Sequence, residues 1–136
     1  MFNGIVQVRR RRLVLVFTAI IFGIGCHRTQ STSTGVNVEF QIKPQPVRVG
    51  PVTVSLALND PAGHPVTGAQ ISAEADMSHA GMSPVFATTE EVRPGLYESH
   101  LSLTMAGDWV VLLHGKLPSG EKLERQFEVR DVRSNR

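Results

Sequence analysis

Between Val36 and Val129 apolar side chains recur at every second position, segment after segment, and this alternation most limits how the chain can fold. A period of two puts successive side chains on opposite sides of an extended backbone, so each segment reads as a half-buried β-strand. Val36, Val38, Phe40 and Ile42 share one face of the first strand, and Val52, Val54, Leu56 and Leu58 one face of the second. Ala69, Ile71, Ala73, Ala75 and Met77 make the third such face, with Glu74 and Asp76 on the other side. A short strand is expected from Val85 to Thr89. Tyr97, Ser99, Leu101, Leu103 and Met105 line the next, which puts Met105 in the core. Trp109, Val111 and Leu113 follow, then Leu123, Phe127 and Val129, with Arg125 interrupting the last apolar face.

The connections are rich in turn formers. Asn59-Asp60-Pro61-Ala62-Gly63 and Pro118-Ser119-Gly120 both read as hairpin turns. Pro44, Pro46 and Pro51 flank the first connection, where residues without an N–H protect a sheet edge from pairing with another chain. Outside the first 25 residues no stretch sustains a helical period. About seven short strands in about 95 residues predict an all-β, immunoglobulin-like sandwich. Its two sheets would bury their apolar faces against each other, with Trp109, the only tryptophan, at the centre.

The N-terminus belongs to a different physics. Arg9 to Arg12 form a basic cluster, and Leu13 to Gly25 carry no charge. That apolar run is about a dozen residues, where a membrane-spanning helix needs about 20. The pattern predicts a signal peptide over residues 1–25. Arg10-Arg11-Arg12-Leu13 also fits a twin-arginine signal, so the export route stays open. Gly23-Ile24-Gly25-Cys26 ends the run, and Cys26 is the only cysteine. This resembles a bacterial lipobox, which implies that Cys26 becomes the lipidated first residue of the mature protein. Ordinary cleavage after Gly25 would instead leave a thiol at the terminus. Residues 26–35 then form a polar tether, 36–130 the folded domain and 131–136 a frayed tail. The expected location is the cell envelope, lipid-anchored, facing the periplasm or the cell exterior.

Charge narrows the partners. The chain is formally +2, but four signal arginines supply that excess, and the remainder holds 10 Lys+Arg against 12 Asp+Glu. No basic stripe remains to follow a phosphate backbone, so nucleic acid is not an expected partner. The membrane, through the lipid, is.

Two further segments carry a resemblance. Pro94-Gly95-Leu96-Tyr97 followed by Met105-Ala106-Gly107-Asp108-Trp109-Val110-Val111 resembles the closing half of YtkA-like domains. Asp60-Pro61-Ala62-Gly63-His64-Pro65-Val66-Thr67-Gly68-Ala69 resembles the turn that leads into the strand before their Met-rich loop. These are small bacterial immunoglobulin-like modules related to the FixH proteins associated with copper oxidase assembly. The resemblance spans roughly residues 36 to 130, and most of the matched residues suit turns and core.

The candidate for chemistry is Asp76-Met77-Ser78-His79-Ala80-Gly81-Met82, two thioethers and an imidazole at the end of the third strand. Cu(I) is a soft ion that accepts Met sulfur and His nitrogen, whereas hard ions prefer carboxylates. Outside the cytoplasm a thiol risks oxidation, which makes thioethers sensible ligands for copper. Gly81 would let the loop turn so that Met77, His79 and Met82 face one ion, and residues 77 and 79 share a strand face. YtkA-like relatives often carry Met and His in this loop, so the resemblance implies a copper role for these three residues. It also implies a copper oxidase or an efflux component as partner.

A plainer reading stands beside this one. Met77 is in register with Ile71, Ala73 and Ala75 and would simply end a core face. Met82 would be an apolar plug, since Met fills irregular gaps well, and His79 a solvated loop residue. On that reading the domain is a protein-interaction module of an envelope complex that binds no metal. Val110 and Leu112, opposite Trp109, would then supply an apolar contact stripe. His64, His100 and His114 are expected at the surface and His27 in the tether. Glu90-Glu91 reads as solvated surface. No nucleophile elbow, phosphate-binding glycine loop or zinc helix is present, so an enzyme is not expected.

Overall fold

Strands form where the alternation is: β1 (Asn37–Lys43), β2 (Gly50–Asn59), β3 (Gln70–Met77), β4 (Val85–Arg93), β5 (Leu96–Leu103), β6 (Gly107–Lys116) and β7 (Lys122–Val132). The computed structural model describes residues 35–79 and 81–135. The expected signal peptide, Cys26 and the expected tether up to residue 34 lie outside the described residues. Among the described residues no helix is long and apolar enough to cross a membrane.

The strands pair antiparallel in the order β1-β2-β5-β4-β3-β6-β7. β4 belongs to both halves of that order. Its first part pairs with β3, from Val85 opposite Ala75 to Thr88 opposite Ser72. Its second part pairs with β5, from Thr89 opposite Ser99 to Arg93 opposite Leu96. One layer is therefore β1-β2-β5-β4 and the other β3-β6-β7, which is the strand partition of an immunoglobulin domain. The all-β, immunoglobulin-like sandwich is the fold of this chain.

The inward faces are those the alternation marks. Val52, Val54, Leu56 and Leu58 of β2 and Tyr97, Ser99, Leu101 and Leu103 of β5 are buried. Opposite them lie Ile71, Ala73, Ala75 and Met77 of β3 and Trp109, Val111 and Leu113 of β6. A fully buried aliphatic side chain contributes about 1.5–3 kcal/mol relative to an exposed one, so this single core carries the stability. Trp109 is 1% exposed. At one margin the Phe40 and Phe127 rings stack at 4.4 Å and bridge the two layers. Thr89 and Ser99 face each other where β4 changes layer, and their buried hydroxyl oxygens have no hydrogen-bond partner among the described residues.

Four expectations change. Asn59 to Gly63 is not a hairpin turn, because β2 pairs with β1 and β5 while β3 pairs with β4 and β6. The segment 60–69 instead crosses from one layer to the other. It passes so close to the β4–β5 turn that a Cβ on Gly95, at φ 72°, would sit 2.6 Å from Pro65 Cβ. Only glycine fits there. The Pro118-Ser119-Gly120 hairpin does form, closed by Leu117 N–H to Glu121 O at 2.8 Å. Met105 is not core: β5 stops at Leu103, and Met105 is 47% exposed in the following turn. β4 runs on to Arg93, past the short strand expected.

The tail does not fray from Asp131. β7 continues to Val132, which is buried. Arg133 then accepts from Val49 N–H at 2.9 Å and donates to Val47 O at 3.0 Å, in parallel with the β1–β2 connection. The proline-flanked connection is thus itself paired, with Val47 buried.

Candidate functional site

β3 ends at Met77 because Ser78, Gly81, Ser83 and Pro84 favour turns over a ladder. The loop is pinned at its start: Ser78 donates its N–H and its hydroxyl to Asp108 O, at 3.1 and 3.2 Å. Gly81 adopts φ 88°, the left-handed conformation that glycine tolerates and a tight reversal uses. Met82 then returns to pack, half-buried, against the core.

The three expected ligands differ in environment. Met77 is 8% exposed and opposite Trp109 on β6. Its Cε lies where it would stand 3.1 Å from a Cβ on Gly107, so a glycine at φ 130° makes room for the thioether. His79 is exposed and lines an open groove with Gly107, Ala106, Asp108, Asp131 and Arg133. Gly107 thus takes the Met77 thioether and also lines the groove with His79. Met82 approaches from the other limb of the loop, and neither it nor Met77 lines the groove. The proposed trio thus stands at one end of the sandwich, with two thioethers against the core and the imidazole outside it.

The groove beside His79 is internally braced. Asp108 Oδ1 accepts from Asp131 N–H at 3.0 Å, and Arg133 Nε lies 3.1 Å from Asp131 Oδ2. These carboxylates are thus engaged with the start of β6 and the end of β7. Among the described residues no three His, Cys, Asp or Glu side chains gather closely enough to hold a metal ion. This end of the sandwich thus brings the Met77 and Met82 thioethers and the His79 imidazole near two hydrogen-bonded carboxylates, Asp108 and Asp131.

The other histidines have local partners. His64 Nδ1 lies 3.1 Å from Asp60 Oδ2, His100 Nδ1 3.2 Å from Thr53 Oγ1, and His114 Nε2 3.3 Å from Glu74 Oε2. All three are exposed, as expected from their strand faces and turn. Cys26 and His27 lie outside the described residues.

Two residues escape the sequence pattern. Glu91 is not idle surface: its carboxylate accepts from Gly68 N–H at 2.9 Å and Gly95 N–H at 3.0 Å, tying the crossover to the β4–β5 turn. Met105 stands in the β5–β6 turn, and its carbonyl accepts the Trp109 indole N–H at 3.0 Å. The Ala106-Gly107 pair that follows was the available sign that the strand had already ended.

Comparison with known proteins gives one family. A family model described as YtkA-like matches residues 30–114. No curated protein matches the chain. Among solved structures, murine CRIg is similar at a TM-score of 0.42 and 11% identity, covering 74% of this chain and 99% of that one. A cohesin module from the family 33 glycoside hydrolase of Clostridium perfringens ATCC13124 is similar at a TM-score of 0.44 and 14% identity, covering 76% of this chain and 100% of that one. The family match covers more than half of the sequence, and the chain belongs to the YtkA-like family.

Proposed function

We propose that this is a membrane-tethered, extracytoplasmic copper module. It takes up Cu(I) through the thioethers of Met77 and Met82 and the imidazole of His79, and delivers or buffers the ion in the cell envelope. Lipid on Cys26 would hold the domain at the membrane, and a copper oxidase or an efflux component would receive the ion. The observation that supports the reading is that Met77, His79 and Met82 lie at one end of the sandwich, with Gly107 receiving the Met77 thioether and lining the groove of His79. No bond is made or broken in a substrate. The mechanism is ligand exchange, in which one soft donor at a time is replaced by a donor of the receiving protein.

A second reading rests on the outer face of β3-β6-β7. Val110 and Leu112 are half-buried there, and Phe86 of β4 is 68% exposed. Phe86 and Leu112 both flank Glu74 in the strand register, so an apolar strip with an acidic centre faces outward. Such a strip suits an envelope protein as partner.

Titration of the full chain in detergent with Cu(I), against a competing colorimetric chelator, tests the first reading. Cys26→Ser keeps the one thiol from competing. Stoichiometric uptake that disappears in Met77→Leu/Met82→Leu, with the thermal midpoint nearly kept, is the expected result. A protein that leaves all copper with the chelator overturns the reading and puts the outer face first.

A further inference from the structure

The chain has four methionines, of which Met1 starts the sequence. The remaining three are Met77 at the end of β3, Met82 in the β3–β4 connection and Met105 in the β5–β6 turn, and the β3–β6 register puts both connections at the same end of the sandwich. The neighbourhood is fixed by several contacts. Met77 is the register partner of Trp109, and the Trp109 indole holds the Met105 carbonyl at 3.0 Å. Ala106, next to Met105, lines the groove with His79. Gly107, two residues on, receives the Met77 Cε.

Exposure of one apolar side chain needs no explanation by itself. The choice of residue and its placement do. Polar residues serve turns better than a long apolar side chain does, yet this turn carries a methionine that is 47% exposed. The position is also rigid where it matters. Trp109 is buried, so its N–H fixes the backbone of Met105 to the core while Met105 itself is exposed. A ligand held by a locked backbone loses less freedom on binding than one on a mobile loop.

We infer that Met105 is a further metal ligand, and that a soft monovalent ion is held between the β3–β4 loop and the β5–β6 turn. The inference rests on the copper reading above and goes beyond it. The complete donor set is three thioethers and one imidazole: Met77, Met82, Met105 and His79. The set spans a core residue, a loop that reverses at Gly81, and a turn anchored by tryptophan. Ion binding therefore ties the loop to the turn. Met105 is the outermost thioether, and it is the ligand that a receiving protein displaces first.

The test uses the full chain with Cys26→Ser in detergent and Cu(I) as probe. Met105→Leu keeps the bulk and removes the sulfur at an exposed position, so the thermal midpoint stays where it was. Cu(I) affinity should fall at least tenfold, and X-ray absorption should count two sulfur neighbours where the parent has three. Met105→Cys restores a soft donor and should recover the affinity. Unchanged affinity and an unchanged sulfur count in Met105→Leu overturn the inference while leaving the Met77, His79, Met82 reading intact. A parent protein that binds no Cu(I) overturns both.

Discussion

At the scale of single residues, carboxylates on this surface act as turn closures. Glu91 takes two backbone N–H groups, from Gly68 and Gly95. Those bonds, Gly68 first and Gly95 second, hold its pKa below the ordinary glutamate value against the opposing pull of desolvation. Asp60 does the same within the crossover, where the His64 N–H at 2.8 Å leads in lowering its pKa. A carboxyl group depressed in the folded state binds its proton more readily when unfolded. Its stabilisation is fully present above the unfolded pKa, about 4.3 for glutamate, and is lost as pH falls through the lower folded value. Glu91→Gln should therefore melt below the parent at pH 7. The two curves should converge as pH falls below the carboxylate range, and thermal melts across pH 2–7 check this. A gap that stays constant with pH would mean that charge on Glu91 contributes nothing.

At the scale of elements, the faces of β2, β3, β5 and β6 were legible because their inward positions are small or apolar and each of these strands keeps one parity. Val52 to Leu58 and Ile71 to Met77 need no knowledge of partners to be read as faces. Layer assignment was not legible, since pairing of β2 with β5 and of β3 with β6 is a long-range choice. The turn at 59–63 has hairpin chemistry but lies between strands of different layers. The same limit applies to the candidate site. Met77, His79 and Met82 are close in sequence and stand out as a motif. Met105 is far from them in the chain and in phase with Leu101 and Leu103, so periodicity places it inside when the strand has already ended. Tyr97 shows how β5 and the crossover are joined. Its hydroxyl donates to Val66 O at 2.8 Å and accepts from Ala69 N–H at 3.1 Å. Burial, first, raises its pKa, so the hydroxyl stays protonated and able to donate. Tyr97→Phe keeps the ring and leaves both backbone groups without that partner, at a cost of about 1–3 kcal/mol. Urea unfolding should show the loss, and the Ala69 amide should exchange faster with deuterium. An unchanged amide would mean that the crossover is held elsewhere.

For the molecule as a whole, the ends of the domain close the sandwich. The β1–β2 connection starts from one layer and pairs with the last residues of the other, through Val47, Val49 and Arg133. Asn135 Nδ2 adds a bond to Val49 O at 2.8 Å, and Arg48 Nη1 one to Ser134 O at 3.2 Å. The same terminal segment supplies Asp131, Val132 and Arg133 to the groove beside His79. Closure of the fold and the shape of the candidate site therefore depend on the same few residues. Deleting 131–136 removes a buried valine, worth about 1.5–3 kcal/mol, and two backbone hydrogen bonds of about 0.5–1.5 kcal/mol each. The thermal midpoint should drop by at least about 10 °C, at about 4–8 °C per kcal/mol for a domain of this size. Val132→Asp in the full-length chain should reproduce most of that fall, because it buries a charge without a partner. A deletion variant that melts with the parent would mean that the two layers hold together through the core alone, and that residues 131–135 lie on the groove without supporting it.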